Sequence, residues 1–246
     1  MNPKQTSPDL PLIFVILCFC LIFTSQVQAK EIRAAVGMSL APYIIQEDNS
    51  GMEIDIVREA LAFNDHTLTL RFPPLKQVPV LYAKKVVDAA LTVNEAFGLN
   101  ACLSDVVIRY QNYAITLKRS SLIINNLSDL AGKKIVAFQN AKKYLGSDFA
   151  AAIKKAHYSE VHKQTLQVNR LYLGRDDVVI ADKNIFLYYK SKIQKFDTAA
   201  PLVFHSIFPS SPYRVAFRDP QICKDFNSGL KKLKESGRYD KIMARY

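Results

Sequence analysis

The side chains that could transfer protons are few and lie far apart in the sequence. They are Glu95, His157, His162 and His205, and none has a second acid, base or nucleophile at a spacing typical of a catalytic site. The sequence also has no zinc-type ligand cluster, no nucleophile elbow and no phosphate-binding loop. It therefore predicts neither a metal nor a cofactor, and an enzyme is the less favoured interpretation.

Polar residues suited to ligand binding follow the apolar segments instead. In an open α/β sheet, ligands bind beyond the carboxyl ends of the strands. The residues at such places are Thr92 and Asn94 after the apolar run 86–93, Asn140, Lys142 and Lys143 after the run 134–138, and Asp182 after the run 177–181. The sequence thus offers hydrogen-bonding and charged groups for a small polar ligand.

These groups have ordinary structural explanations as well. Thr92 and Asn94 could donate hydrogen bonds to a ligand or to the protein itself. Asn140, Lys142 and Lys143 could hold an anion at a helix start, but a solvated helix face explains the lysines at least as well. Leu40 and Tyr43, in the loop after the first predicted strand, could pack on a ligand or belong to the core.

The first 29 residues have the pattern of a secretory signal peptide. Lys4 precedes an apolar stretch over residues 10–23, and Val27 and Ala29 occupy the positions that a signal peptidase reads. The apolar stretch, roughly 14 residues long, falls short of the roughly 20 needed to span a bilayer. Residues 1–29 are therefore predicted to be cleaved and the remainder to be periplasmic. An uncleaved anchor is the weaker alternative.

The formal net charge of +11 favours anionic partners such as a membrane face or an acidic protein. The lysines are scattered, however, and are not interleaved with aromatic residues as in a nucleic-acid-binding motif. The sequence predicts no nucleic-acid partner. Cys102 and Cys223 are the cysteines that remain after cleavage, and a disulfide and two free thiols are equally consistent with them.

Predicted strands and helices alternate along the chain, which indicates mainly parallel sheets flanked by helices. Two extended segments, residues 112–118 and 212–218, interrupt this alternation. We interpret them as two strands that cross between two lobes and act as a hinge. A ligand would then lie in the cleft between the lobes.

Four stretches in this order resemble the type II periplasmic solute-binding proteins, in particular the family 3 amino-acid-binding proteins of ABC importers. The resemblance extends over essentially all of the chain after residue 29. The stretches are the Gly-Met-Glu-Ile-Asp of residues 51–55, the Val-Asp-Ala of residues 87–89, the apolar strand 177–181 that ends at Asp182, and the closing helix pair 230–246.

The resemblance implies an arrangement and a function. Residues 30–113 and 213–246 would form lobe one, and residues 114–212 would form lobe two. The protein would be a monomer that binds a small amino-acid-like or anionic solute and delivers it to an ABC permease or a membrane sensor. Cys102 and Cys223 would lie in the same lobe, where a disulfide between them is geometrically allowed.

The resemblance also assigns site residues, and here the sequence departs from the family. Asp182 matches the acceptor of the ligand's ammonium group, although an aspartate after a strand is also a common helix N-cap. The arginine that holds the ligand's carboxylate is missing after Thr92, and Arg109, near the hinge, is the next cation. Leu75 replaces the family's aromatic residue. The resemblance therefore leaves open a binding protein with an altered pocket, a ligand-sensing or partner-docking module without transport, and a scaffold-derived enzyme such as a dehydratase.

Overall fold

A computed structural model describes residues 29–38, 40–94 and 97–246. The predicted signal peptide lies almost wholly outside these residues. The strands are β1 (Glu31–Ala35), β2 (Thr67–Arg71), β3 (Ala89–Val93), β4 (Cys102–Leu103), β5 (Ile108–Leu117), β6 (Lys134–Phe138), β7 (His157–Val161), β8 (Val178–Asp182), β9 (Leu202–His205) and β10 (Ser210–Phe217). The helices are α1 (Met52–Ala62), α2 (Val78–Ala83), α3 (Ala141–Tyr144), α4 (Gly146–Ala152), α5 (Gln164–Tyr172), α6 (Lys183–Ser191), α7 (Pro220–Glu235) and α8 (Arg238–Arg245).

The strands follow the order β2-β1-β3-β10-β5-β8-β6-β7, with β4 beside β10 and β9 beside β5. The strands β2, β1 and β3 are parallel, and so are β8, β6 and β7. The strands β5 and β10 run antiparallel to their neighbours in the middle of the order. The predicted fold class is confirmed: the molecule has two α/β lobes, each with a mainly parallel sheet, joined by two central strands.

The strand β5 belongs to both lobes. Its first residues pair with β10, where Ile108 lies opposite Tyr213 and Gln111 lies opposite Ser210. Its later residues leave β10 and pair with β8, where Asn112 lies opposite Asp182. The predicted crossing strands are therefore present, but β5 begins four residues earlier than the sequence predicted because its pairing with β10 precedes the crossing.

The helices α1 and α7 pack closely in lobe one. A Cβ atom added at Gly229 of α7 would lie 1.9 Å from the carbonyl oxygen of Ala60. Such a distance is far below any van der Waals contact, so only glycine fits where the two backbones meet. Ile222, Phe226 and Leu230 are buried on the same face of α7, as the helical spacing in the sequence predicts.

The C-terminal helix is held to α1 through Asp55. Its carboxylate accepts hydrogen bonds from Tyr246 Oη (2.6 Å), from Arg245 (3.1 Å) and from Arg58 (2.6 Å). Cys102 and Cys223 form a disulfide that joins β4 to α7, with their Cα atoms 6.2 Å apart. Both connections lie in the part of the chain assigned to lobe one, so they fix its two separate segments to each other.

Lobe two differs from the predicted elements at two places. The single helix expected up to about residue 155 is divided at Gly146, whose φ of +87° interrupts the helical backbone, into α3 and α4. The strand β7 ends at residue 161, whereas the sequence placed a strand and a helix within residues 161–173. Its half-buried, polar composition, His-Tyr-Ser-Glu-Val, gave too weak an apolar pattern to be recognised.

No helix among the described residues is long and apolar enough to cross a membrane. The exact limits of the two lobes, 30–113 with 213–246 and 114–212, stay a prediction. One hydrophobic cluster contains residues from both sides of these limits. Ile185 of α6, which follows β8 in lobe two, packs in the cluster around α1 and α7.

Candidate functional site

Asp182 lies at the junction of the two lobes and is 6% exposed. It ends β8 and caps α6, where its Oδ1 accepts hydrogen bonds from the backbone N–H groups of Asn184 (2.9 Å) and Ile185 (3.1 Å). Its Oδ2 accepts a hydrogen bond from the N–H of Gln111 on β5 (2.9 Å). The helix-capping role that the sequence left open is therefore present, and the ligand-binding role stays a proposal.

Tyr43 connects the lobes through this carboxylate. Its hydroxyl lies 3.0 Å from both Asp182 oxygens, and it also accepts a hydrogen bond from Asn184 Nδ2 (3.0 Å). Burial raises the pKa of Tyr43, and the Asp182 charge raises it further, so the phenol stays protonated and donates. Burial also raises the pKa of Asp182, against the hydrogen bonds from Ile185, Gln111 and Tyr43. The neutral hydroxyl of Tyr43 in one lobe thus donates a hydrogen bond to the carboxylate of Asp182 in the other lobe.

Three tyrosines form a continuous stack behind this contact. The rings of Tyr43 and Tyr110 have centroids 3.8 Å apart at an angle of 23°, and Tyr110 and Tyr213 have centroids 4.6 Å apart. Tyr110 lies on β5 and Tyr213 on β10, so both central strands contribute a ring. Burial raises the pKa of Tyr213, and the charges of Glu53 and Tyr144 raise it further. The stack therefore joins the loop after β1 to the two central strands.

Glu53 contacts the middle ring of the stack, Tyr110, and has no exposed surface. Its carboxylate accepts hydrogen bonds from the N–H of Thr92 (2.8 Å), from Thr92 Oγ1 (3.0 Å to each oxygen) and from Tyr110 Oη (2.9 Å). Burial raises the pKa of Glu53 to about 7, although the hydrogen bonds from Tyr110 and Thr92 oppose the shift. The sequence prediction missed this residue. Its spacing from Val57 and Ala60 on the buried face of α1 was the available signal.

Both hydrogen-bond donors of Thr92 are bound to Glu53, and Thr92 is only 8% exposed. Its φ of +56° is unusual for a β-branched residue, and the paired hydrogen bonds to Glu53 hold it there. The prediction that Thr92 donates a hydrogen bond to a ligand is therefore not supported by its geometry. Asn94, the neighbouring candidate, is half-buried at the end of β3 and already makes a contact within the protein.

The turn that opens α3 already holds a carboxylate, which belongs to Glu160 of β7. Glu160 accepts hydrogen bonds from the N–H groups of Asn140 (2.7 Å) and Lys142 (3.2 Å) and from Tyr158 Oη (2.7 Å). Although burial opposes the shift, these hydrogen bonds hold the pKa of Glu160 below its ordinary value. The anion that Asn140 and Lys142 were predicted to bind is thus supplied by the protein itself.

The lysines at α3 and at the start of α6 place their ammonium groups over aromatic rings or are exposed to solvent. The Lys142 ammonium lies 5.0 Å from the centre of the Tyr158 ring, and the Lys183 ammonium lies 5.2 Å from the centre of the Phe204 ring. Lys143 is exposed. The prediction that Lys142 holds a ligand is therefore not supported by the position of its side chain.

Arg109 does not lie beside Asp182. Side chains alternate between the two faces of a strand, and Tyr110 contributes its ring to the stack, so Arg109 projects from the opposite face of β5. There it is exposed and lines a groove of about 450 Å³ with Lys234, Tyr239 and Met243. In this structure the Arg109 side chain thus lies apart from the contact between Asp182 and Tyr43, and its role in ligand binding stays a prediction.

The two apolar candidates differ in their surroundings. Leu40 is half-buried and packs against the cluster around α1. Leu75 is 48% exposed, with its Cδ1 3.2 Å from the position of a Cβ added at Gly37. Leu75 therefore leaves apolar surface near the loop that follows β1, and Leu40 is part of the core.

The candidate proton-transfer residues do not assemble into a pair. His205 Nε2 lies 3.0 Å from Thr116 Oγ1, and burial lowers the pKa of His205. His157 and His162 are exposed on and just after β7, and Glu95 lies outside the described residues. Within residues 29–38, 40–94 and 97–246, no three histidine, cysteine or acidic side chains are grouped as a metal site would need.

Comparison with solved structures identifies the fold. The chain is similar to a polar amino acid ABC uptake transporter substrate-binding protein from Streptococcus thermophilus, with a TM-score of 0.70, 18% identity, and coverage of 91% of this chain and 88% of that one. It is also similar to an ancestral cationic amino acid solute-binding protein, with a TM-score of 0.69, 20% identity, and coverage of 88% and 95%. The same ancestral protein is described as a precursor of cyclohexadienyl dehydratase.

A third similar structure is substrate-binding domain 2 of GlnP from Lactococcus lactis in an open conformation, with a TM-score of 0.64, 20% identity, and coverage of 88% and 94%. No family model and no curated protein sequence matched the chain. At these identities the likeness establishes the fold. The chain has the two-lobed, hinged fold of the amino-acid-binding solute-binding proteins, as the sequence resemblance implied.

Proposed function

We propose that this protein is an exported solute-binding protein, not an enzyme, that captures a small polar solute between its lobes and delivers it to an ABC importer. The fold likeness supports this proposal, because the similar structures include a polar amino acid ABC uptake transporter substrate-binding protein and a GlnP substrate-binding domain. The predicted signal peptide over residues 1–29 supports export to the periplasm. A monomer, with lobe limits as predicted from the sequence, is the expected form.

One observation carries the proposal: the contact between Asp182 of lobe two and Tyr43 of lobe one at 3.0 Å. The two residues are 139 positions apart and meet only when the lobes are together. Movement about β5 and β10 separates them and exposes the carboxylate. A charged group of a solute can then replace the Tyr43 hydroxyl on Asp182 and bring the lobes together again.

The proposal is tested by measuring solute binding to the exported protein. The full chain would be expressed with its own leader, and the purified product would be unfolded and refolded to release any retained solute. A panel of amines, amino acids, peptides and organic acids would be screened by thermal shift and by calorimetry. We expect one class to raise the melting temperature and to reduce the radius of gyration measured by small-angle scattering.

The Asp182→Asn variant keeps an N-cap side chain but loses the charge. We expect it to remain folded and to bind the active solute at least about tenfold more weakly, since a buried charge-assisted hydrogen bond is lost. Asp219→Asn is the matched control. Asp219 caps α7 in the same way, through the N–H of Gln221 at 2.8 Å, but lies outside the cleft. Equal losses of binding in the two variants, or a folded protein that no solute shifts, would refute the proposal.

A partner-docking or sensory module without transport is the second candidate. The same contact favours it, since a hydroxyl of the protein itself, from Tyr43, hydrogen-bonds Asp182 across the lobes. In that case the Tyr43→Phe variant, which opens the cleft, would lose a protein partner that the wild type retains without solute. A pull-down from detergent-solubilised membranes with and without the active solute separates the two functions.

A further inference from the structure

The charges on the lobe-two edge of the cleft favour one class of solute. The strands β8, β6 and β7 are parallel neighbours, so their carboxyl ends lie at the same edge. Asp182 ends β8, and Glu160 lies near the end of β7, level with Ala137 of β6. Glu160 is level with Ile180, two residues before Asp182, so a strand spacing of about 4.8 Å and a rise of about 3.3 Å per residue place the two backbone positions roughly 12 Å apart.

The carboxylates of Asp182 and Glu160 differ in which groups donate hydrogen bonds to them. Asp182 is capped by a neutral hydroxyl that belongs to the other lobe and leaves when the lobes separate. Glu160 is held by Asn140, Lys142 and Tyr158, all of which lie in lobe two with it. Opening of the cleft therefore removes one donor from the carboxylate of Asp182, which keeps its backbone donors, and leaves all the donors of Glu160 in place.

In an α-amino acid the ammonium nitrogen and the carboxylate carbon are bonded to the same carbon, so a solute whose ammonium contacts Asp182 brings its carboxylate to the same edge of the sheet. The backbone N–H groups that open α3 are already bound to Glu160, and the nearby Lys142 and Lys183 ammonium groups lie on aromatic rings. A second carboxylate would meet a fixed negative charge, which disfavours it. An ammonium group meets the carboxylate of Asp182 instead, which attracts it.

We propose that the cleft selects amines that lack a carboxylate, with Asp182 as the ammonium acceptor and Glu160 as the residue that rejects α-amino acids. This inference rests on the proposed function and names its substrate class. It also narrows the sequence prediction, which allowed an amino-acid-like or a small anionic solute.

The test uses pairs of compounds that differ only by the carboxylate: agmatine with arginine, cadaverine with lysine, and tyramine with tyrosine. Dissociation constants would be measured by calorimetry on the refolded wild type at low and moderate salt. We expect at least one amine to bind about tenfold or more tightly than its amino acid, with the ratio falling as salt screens the repulsion.

The Glu160→Gln variant keeps a side chain that accepts hydrogen bonds and removes the charge. We expect it to reduce the amine-to-amino-acid ratio toward one by tightening amino-acid binding, with the amine affinity changed little. Glu235→Gln is the control, because Glu235 is an exposed carboxylate at the end of α7, away from the cleft. It should leave the ratio unchanged, and a melting curve for each variant confirms that it is folded.

The outcomes separate this inference from the proposed function. An amino acid that binds as tightly as its amine, or a preference for amines that persists in Glu160→Gln, overturns the inference. Binding of an organic acid or a neutral solute, with no amine bound, overturns it and leaves the proposed function standing. A folded wild type that binds nothing in the panel overturns both.

Discussion

Glu53 and Asp182 are both buried carboxylates, and each accepts a hydrogen bond from one ring of the same stacked pair, Tyr110 for Glu53 and Tyr43 for Asp182. The hydrogen bonds that the described residues show to Glu53 come from Thr92 and Tyr110, both in the segment assigned to lobe one. The donors to Asp182 include Tyr43 of the other lobe. A carboxylate satisfied within one lobe stabilises the scaffold at every stage of opening. A carboxylate shared between lobes changes partners when the lobes move, so it is the one suited to bind a solute.

The largest expected difference is in stability. Glu53→Ala leaves the Thr92 N–H, the Thr92 hydroxyl and the Tyr110 hydroxyl without an acceptor in a site closed to water, so we expect the free energy of unfolding to fall by about 4 kcal/mol. Asp182→Ala loses a helix cap, the hydrogen bond from the Gln111 N–H and one interlobe hydrogen bond. Water reaches these donors when the lobes separate, so we expect a smaller loss of about 2 kcal/mol. Urea unfolding followed by circular dichroism measures both. Equal losses would contradict the comparison.

The second difference is in the response to pH. The pKa of Glu53 is raised to about 7, so the folded protein holds this proton more tightly than the unfolded chain does. The stabilising contribution is complete below the unfolded pKa and is lost as the pH rises from about 4.5 to 7, by up to about 3 kcal/mol. We expect the unfolding free energy of Glu53→Gln to change less with pH over this range than that of the wild type. The slopes of unfolding free energy against pH for the two proteins check it, and identical slopes would show that Glu53 does not titrate there.

The smallest effect is expected at the contact between the lobes. Tyr43→Phe removes the hydroxyl that bridges to Asp182, which we expect to cost about 1 kcal/mol and to shift the unliganded protein toward the open form. The Tyr213 hydroxyl makes no hydrogen bond among the described residues, so Tyr213→Phe is the matched control. Small-angle scattering would detect a larger radius of gyration in Tyr43→Phe alone. An increase in both variants would assign the effect to the stack and not to the hydroxyl.

The predicted fold depended on features that neighbouring residues determine. The apolar runs that became β3, β6 and β8 and the face of α7 with Ile222, Phe226 and Leu230 were readable because burial imposes a period on the sequence. The strand β7 escaped recognition because it is half-buried and polar. The interruption of the predicted helix at Gly146 was not recognised, because a glycine is compatible with both a continuous helix and an interrupted one.

The site was less predictable than the fold. The sequence determined that Asp182 follows a strand and starts a helix, and that residues 93–108 contain no arginine. Both are facts of local order along the chain. Only the tertiary structure decided that Tyr43 reaches Asp182, that Glu160 fills the turn opening α3, and that Glu53 holds Thr92. The physical reason is that a hydrogen bond between side chains distant in the sequence depends on how strands are ordered and lobes are packed, and no local spacing in the chain records that order.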